Sequence, residues 1–170
     1  MDAASQRMAE GIQQAIKAEV DGYHFYMMAA RSTEDEQGRS VLQSLAQDEL
    51  EHVRFLKAQH AALLATGLPD EKVQLGARAE LKGASPIFSA GLLARAGEAH
   101  FEMSALSIGV QLELGAVQFY DAQAKAAPHP RVRAFFEELA DWERGHYQAL
   151  LRQQEAMKDD YWAGGGFSPF

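Results

Sequence analysis

Apolar side chains recur at helical spacing through four long stretches of the chain. Residues 5–31 place Ile12, Ala15, Ile16, Tyr23 and Tyr26 near one stripe, with Glu19 among them. Residues 35–65 carry Leu42, Leu45 and Leu56 on the same face as Glu49 and His52. Residues 101–126 and 130–157 complete the set. The breaks between them are chemically clear. Thr33 and Glu36 fit a capping box at the start of the second helix, and Thr66-Gly67-Leu68-Pro69 ends it. Pro128 and Pro130 separate the last two helices, and Pro130 suits a first helical turn. Both of these connections are short, so each pair of helices is expected to form an antiparallel hairpin.

A longer segment, residues 66–100, joins the two hairpins. It holds Gly67, Gly76, Gly83 and Gly91, and Ser85-Pro86 reads as the start of a short helix ending near Gly97. A connection this long needs a purpose, and a crossover running the length of the bundle supplies one. The expected fold is therefore all-α: a four-helix bundle of two αα-hairpins joined by a long crossover containing a short helix. Residues 1–158 form the expected domain. Residues 159–170 read as a non-helical strap, in which Tyr161, Trp162, Phe167 and Phe170 flank three glycines and pack on the domain or at an interface.

The polar positions add a second pattern. A shift of 94 residues carries Glu19 onto Glu113, Phe25-Tyr26 onto Phe119-Tyr120, Glu49 onto Glu143 and His52 onto His146. The apolar frame follows: Leu42 maps to Phe136, Leu45-Ala46 to Leu139-Ala140 and Leu56 to Leu150. Glu19 lies about 12 residues, roughly 18 Å, before the end of the first helix. Glu49 lies about 14 residues, roughly 21 Å, into the second. In an antiparallel hairpin they reach nearly the same height, and two-fold packing of the hairpins brings all four Glu to one layer. Glu49 with His52, and Glu143 with His146, are three apart and share a face between core leucines.

Four carboxylates in a core are costly unless compensated. Two divalent cations would cancel their charge, and the two imidazoles would add nitrogen ligands. The mixed oxygen and nitrogen set suits iron or manganese and is poor for calcium. Six side-chain ligands leave open positions on two metals, which implies peroxide or dioxygen chemistry, or ferrous oxidation. Tyr26 and Tyr120 lie two turns beyond Glu19 and Glu113 on the same face, which suits equally a hydrogen bond to a ligand carboxylate or its neighbourhood and a core tyrosine with its hydroxyl satisfied elsewhere.

Composition narrows the classes further. The net charge of −8 argues against nucleic acid or an anionic membrane surface as partner. The absence of cysteine removes disulfides, thiolate zinc sites and iron–sulfur clusters. The first residues show no apolar signal segment and no run approaches transmembrane length, so a cytoplasmic protein is expected.

These motifs together resemble rubrerythrins and the wider ferritin-like di-iron carboxylate proteins, over about residues 8–157. The resemblance rests on Glu19 with Phe25-Tyr26-x-x-Ala29-Ala30, Leu45-Ala46-x-x-Glu49-x-x-His52, Ala105-Leu106 leading to Glu113 with Phe119-Tyr120, and Leu139-Ala140-x-x-Glu143-x-x-His146. It implies a ferritin-like bundle with two iron ions per chain, although manganese or a mixed pair would use the same ligands. Glu49 and Glu143 would bridge, Glu19 and Glu113 would be terminal carboxylates, and His52 and His146 the nitrogen ligands. It implies reduction of hydrogen peroxide or dioxygen with an external electron donor, in a homodimer. Ferroxidase or iron-storage activity is the first alternative; a helical scaffold with a structural metal is the second. Rubrerythrins carry a further Glu one turn after the third-helix ligand, where this chain has Ala116, and a rubredoxin domain, which a chain without Cys cannot form.

The remaining candidates read as structural. His24 is expected at the surface, His100 at a solvated helix start between Glu98 and Glu102, and His129 in a turn. Met27, Met28 and Met103 read as core filling, and Glu51, Glu137 and Glu138 as solvent-facing.

Overall fold

A computed structural model describes residues 3–76 and 86–164. The long helices are α1 (Ala3–Ser32), α2 (Glu36–Thr66), α4 (His100–Ala126) and α5 (Pro130–Gly164). Between the hairpins lie a single-turn helix, α3 (Ala90–Leu93), and a 3₁₀ turn (Ala96–Glu98). There is no strand among the described residues. The fold is the all-α, ferritin-like bundle that the periodicity predicts: α1 packs along α2, α4 along α5, and α1 meets α4 only sparingly.

The shift of 94 residues is a spatial two-fold relation. The apolar interior forms two clusters. One holds Tyr26, Leu45, Leu106 and Leu150; the other holds Tyr120, Leu139, Ile12 and Leu56. Each of these four residues of the first cluster has its sequence equivalent in the second, so the relation exchanges the clusters.

The caps differ from the sequence reading in one place. Asp35, not Thr33, caps α2: its Oδ2 accepts from the Gly38 N–H at 2.7 Å. Thr33 is instead buried, and its hydroxyl donates to Glu102 Oε1 at 2.7 Å, tying the first hairpin's turn to the start of α4. Glu102 is therefore buried rather than solvated. At the other end of α2, Gly67 adopts φ 79° and its N–H donates to Leu63 O, a left-handed cap that glycine makes without strain.

The crossover is fastened by two equivalent glutamines that the repeat contains but the sequence reading passed over. Gln59 donates to Asp70 O at 3.0 Å and accepts from Asp70 N at 2.9 Å. Gln153 accepts from Ile87 N at 2.6 Å. One glutamine holds the start of the crossover and the other its end. The short helix begins later than expected, at α3, capped by Ser89; Ser85 lies outside the described residues.

The end of the chain corrects the expected strap. α5 continues through Asp159 to Gly164. Tyr161 extends the inward stripe of Leu150, Gln153 and Met157, packs on the core, and its hydroxyl is hydrogen-bonded to His100 Nδ1 at 3.1 Å. Gly164 meets Gly97 backbone to backbone: a Cβ at Gly164 would lie 2.6 Å from the Gly97 Cα. Residues 165–170, including Phe167 and Phe170, lie outside the described residues. His24 is exposed as expected, but Met28 is 52% exposed and is not core filling. No described helix is long and apolar enough to cross a membrane.

Candidate metal centre

Glu19, Glu49, His52, Glu113, Glu143 and His146 are all buried and meet in one layer at mid-bundle. Each helix brings its side chain there because the flanking turns are apolar: Leu45 and Leu56 on α2, Leu139 and Leu150 on α5. The layer separates the two apolar clusters.

The six residues form two overlapping quartets. Glu19, Glu49, His52 and Glu143 offer ligand atoms within 4.8 Å of one another, as do Glu49, Glu113, Glu143 and His146. Glu49 and Glu143 belong to both. The imidazoles present Nδ1 to the centre. His52 Nδ1 lies 2.7 Å from Glu143 Oε1, 3.1 Å from Glu19 Oε2 and 3.7 Å from Glu49 Oε2. His146 Nδ1 lies 3.2 Å from Glu143 Oε2, 3.5 Å from Glu49 Oε1 and 3.8 Å from Glu113 Oε1. The two rings stack at 6.0 Å.

Buried polar atoms without partners are rare, and each calls for a cause. Here Glu49 Oε1 and Glu143 Oε1 are buried with no hydrogen-bond partner among the described residues. Glu143 Oε1 lies 2.7 Å from His52 Nδ1 without the geometry of a hydrogen bond. Converging oxygen and nitrogen atoms with unmet valence fit a cation.

The electrostatics agree. Burial pushes the Glu19 and Glu113 carboxyls well above the usual carboxylate range, and the charges of Glu49 and Glu143 push them further. Burial would raise Glu143 too, but His52 and His146 hold it well below that range. Burial opposes charge on His52 and His146, yet the facing carboxylates hold both well above the ordinary histidine value. Without cations, protons on these groups balance the layer. Cations would take their place.

Around this layer the support is partly symmetric. Tyr26 on α1 donates to Glu113 Oε1 on α4, and Tyr120 on α4 donates to Glu19 Oε1 on α1. Each tyrosine thus serves the carboxylate of the other hairpin, a crossing that sequence spacing alone did not specify. Burial, with the neighbouring carboxylates, keeps both phenols well above their usual range, so they stay protonated donors.

The two histidines are supported differently. His146 Nε2 lies 3.0 Å from Asp48 Oδ2. At the equivalent place His52 faces Trp142, ring against ring at 4.9 Å, and its Nε2 has no hydrogen-bond partner among the described residues. Asp48 was missed from sequence, although Leu45, Asp48, His52 and Gln59 lie on one buried stripe of α2. His100 and His129 stand apart from the layer: His100 bonds Tyr161, and His129 Nδ1 accepts from Arg131 N in the turn before α5.

A ferritin-like bundle with a buried carboxylate and imidazole layer is the class that this fold and site define. The family model described as Rubrerythrin matches residues 104–163, most of the second hairpin. Over these residues the chain is similar to rubrerythrins, and its buried Glu/His layer offers the donor set of a metal-binding protein. No curated protein and no solved structure matches it.

Proposed function

We propose that the layer holds two iron ions and that the protein is a non-haem di-iron oxidoreductase, reducing peroxide or dioxygen with electrons from an external donor. The observation that carries this reading is the pair of quartets sharing Glu49 and Glu143. Glu49 and Glu143 would face both ions. Glu19 and His52 would complete one position, and Glu113 and His146 the other. A ferrous pair bound there would supply two electrons and Lewis acidity to an O–O bond.

The chain's own groups prepare that chemistry. Four carboxylates neutralise two divalent charges, so the occupied layer is stable in an apolar interior. Tyr26 and Tyr120 fix the orientation of the two unshared carboxylates and hold a proton at the hydroxyl beside each. Asp48 orients the His146 ring. Apolar residues on both sides of the layer limit bulk water.

Metal analysis of the purified protein tests this first: about two ions per chain are expected, and a Glu49→Ala/Glu143→Ala variant is expected to lose them. Unchanged occupancy in the variant sinks the assignment. Stopped-flow mixing of the diferrous protein with peroxide and with oxygen tests the reaction. Slow, unselective bleaching by both favours a structural metal. Uptake of many irons per chain into a large shell favours storage. A cytoplasmic homodimer is part of the proposal; exposed Phe101 and Ile108 on one side of α4 support an association, which light scattering measures.

A further inference from the structure

Between α1 and α4 lies a cavity of about 430 Å³ whose floor is the polar layer, reached through Glu19, Glu49 and Glu113. Its walls are mostly carbon, from Ala18, Gly22, Leu112, Gly115, Ala116 and Phe119, with the exposed Asp21 also lining it. Gln14 and Gln111, both exposed, stand at its outer end. The space exists because the two-fold relation puts a small residue from each helix, Gly22 and Ala116, beside the carboxylates. Packing does not demand this. A Cβ at Gly22 would meet the Glu49 carboxylate at 3.5 Å, an ordinary contact.

The size decides what the cavity suits. Hydrogen peroxide and dioxygen are of the order of a water molecule or two, and a water occupies about 30 Å³. The cavity exceeds that by about tenfold and falls within the range of about 300–1,000 Å³ typical of organic-ligand pockets. Walls mostly of carbon give few partners to a chain of waters, whereas an apolar body would regain their dispersion contacts. A net charge of −8 and a floor of carboxylates disfavour an anionic ligand.

We propose that this cavity receives the apolar body of a neutral organic hydroperoxide, with the O–O group placed at the carboxylate layer. This rests on the peroxide-reducing reading above and names its substrate class. The O–O bond breaks on taking up two electrons and two protons, and the products are the corresponding alcohol and water. The electrons are those of the ferrous pair, restored by the external donor; the protons come from solvent. Leu112, Ala116 and Phe119 hold the carbon body, and the exposed mouth lets the alcohol leave.

The test separates binding from reaction. Metal content is measured first, so that failure of the di-iron reading is seen independently. Calorimetry then follows binding of 2-phenyl-2-propanol, the product of cumene hydroperoxide, to the zinc-loaded protein, which cannot turn over. Stopped-flow compares oxidation of the diferrous protein by cumene hydroperoxide and by hydrogen peroxide. Saturable binding of the alcohol is expected, with a rate constant for cumene hydroperoxide about tenfold or more above that for hydrogen peroxide. Ala116→Leu, which narrows the cavity beside the carboxylates, is expected to lower that ratio about tenfold and weaken the alcohol with metal content retained. No saturable binding, a faster reaction with hydrogen peroxide, or a ratio unmoved by Ala116→Leu overturns the proposal. Saturable alcohol binding without reaction of either peroxide also overturns the substrate class, and it rejects the peroxide reading while leaving a ligand site.

Discussion

His146 is held by Asp48 at 3.0 Å, while its two-fold equivalent His52 is backed by Trp142. A carboxylate behind a ligating imidazole fixes the ring and raises its basicity, and losing such a partner typically lowers metal affinity about 10–100-fold. Under the two-ion reading, the two positions should therefore differ in affinity. A cobalt(II) titration of the wild type is expected to show two steps. Asp48→Asn is expected to weaken the tighter step by about 10–100-fold and bring the two together. A single step in the wild type, or no change in Asp48→Asn, would contradict this.

Tyr26→Phe removes the donor to Glu113 Oε1 without changing the ring's packing. A buried hydrogen bond to a charged group contributes about 1.5–3 kcal/mol. Urea unfolding of the metal-loaded variant is expected to show a loss of that order, and Tyr120→Phe should match it through Glu19. Unequal losses would show that the two hairpins do not share the layer evenly.

The metal-free protein should be most stable in mild acid. Glu19 and Glu113 have raised carboxyls, so the folded state keeps protons that the unfolded chain releases above about 4.5; stability falls as pH rises from there through their folded values. His52 and His146 are also raised, so their contribution is full below 6.5 and is lost as pH rises through their folded values. Glu143 works the other way: its contribution is present above 4.5 and lost as pH falls through its depressed value. Thermal unfolding in chelator is expected to show a maximum near pH 5 and a decline toward pH 8. Added metal, which displaces those protons, should remove the decline. A metal-free midpoint rising between pH 5 and 8 would be incompatible with this layer.

Gly164→Ala puts a methyl 2.6 Å from the Gly97 Cα, where backbone must move. The expected cost is about 1–3 kcal/mol, with faster amide exchange confined to the last turns of α5 and the 3₁₀ turn. Gly115→Ala is the contrast. Nothing lies within 4 Å of its added Cβ, and α4 should gain about 0.5–1 kcal/mol. If both variants behave alike, the contact at Gly97 does not hold the helix end.

The parts of this protein that were legible in its sequence are those that recur. Helical periodicity gave the four long helices, and the shift of 94 residues singled out the six residues that meet in the layer. What was hidden is what the repeat does not repeat. Asp48 aligns with Trp142, so likeness between the halves does not mark the carboxylate at His146 Nε2. Gln59 and Gln153 do align, but a polar pair off the layer carries no recognisable chemistry until the crossover is seen between them. Three consecutive glycines suggested that the last helix stops early, whereas the meeting of Gly164 with Gly97 and the anchor at Tyr161 carry it further. Thr33 had the letters of a cap, but a short loop gave that role to Asp35 and turned Thr33 inward.

The polar layer divides the interior into two modest apolar clusters, so the interior is continuous only when the layer's charge is balanced. Under the two-ion reading, survival of the chain in a cell becomes a function of cation supply. Free ion at about 1,000 times its dissociation constant adds about 4 kcal/mol per site, roughly a thousandfold fewer open molecules. Degradation that follows the open population would then clear the protein when iron is scarce and spare it when iron is plentiful. Its abundance would track the metal with no regulator acting on its synthesis.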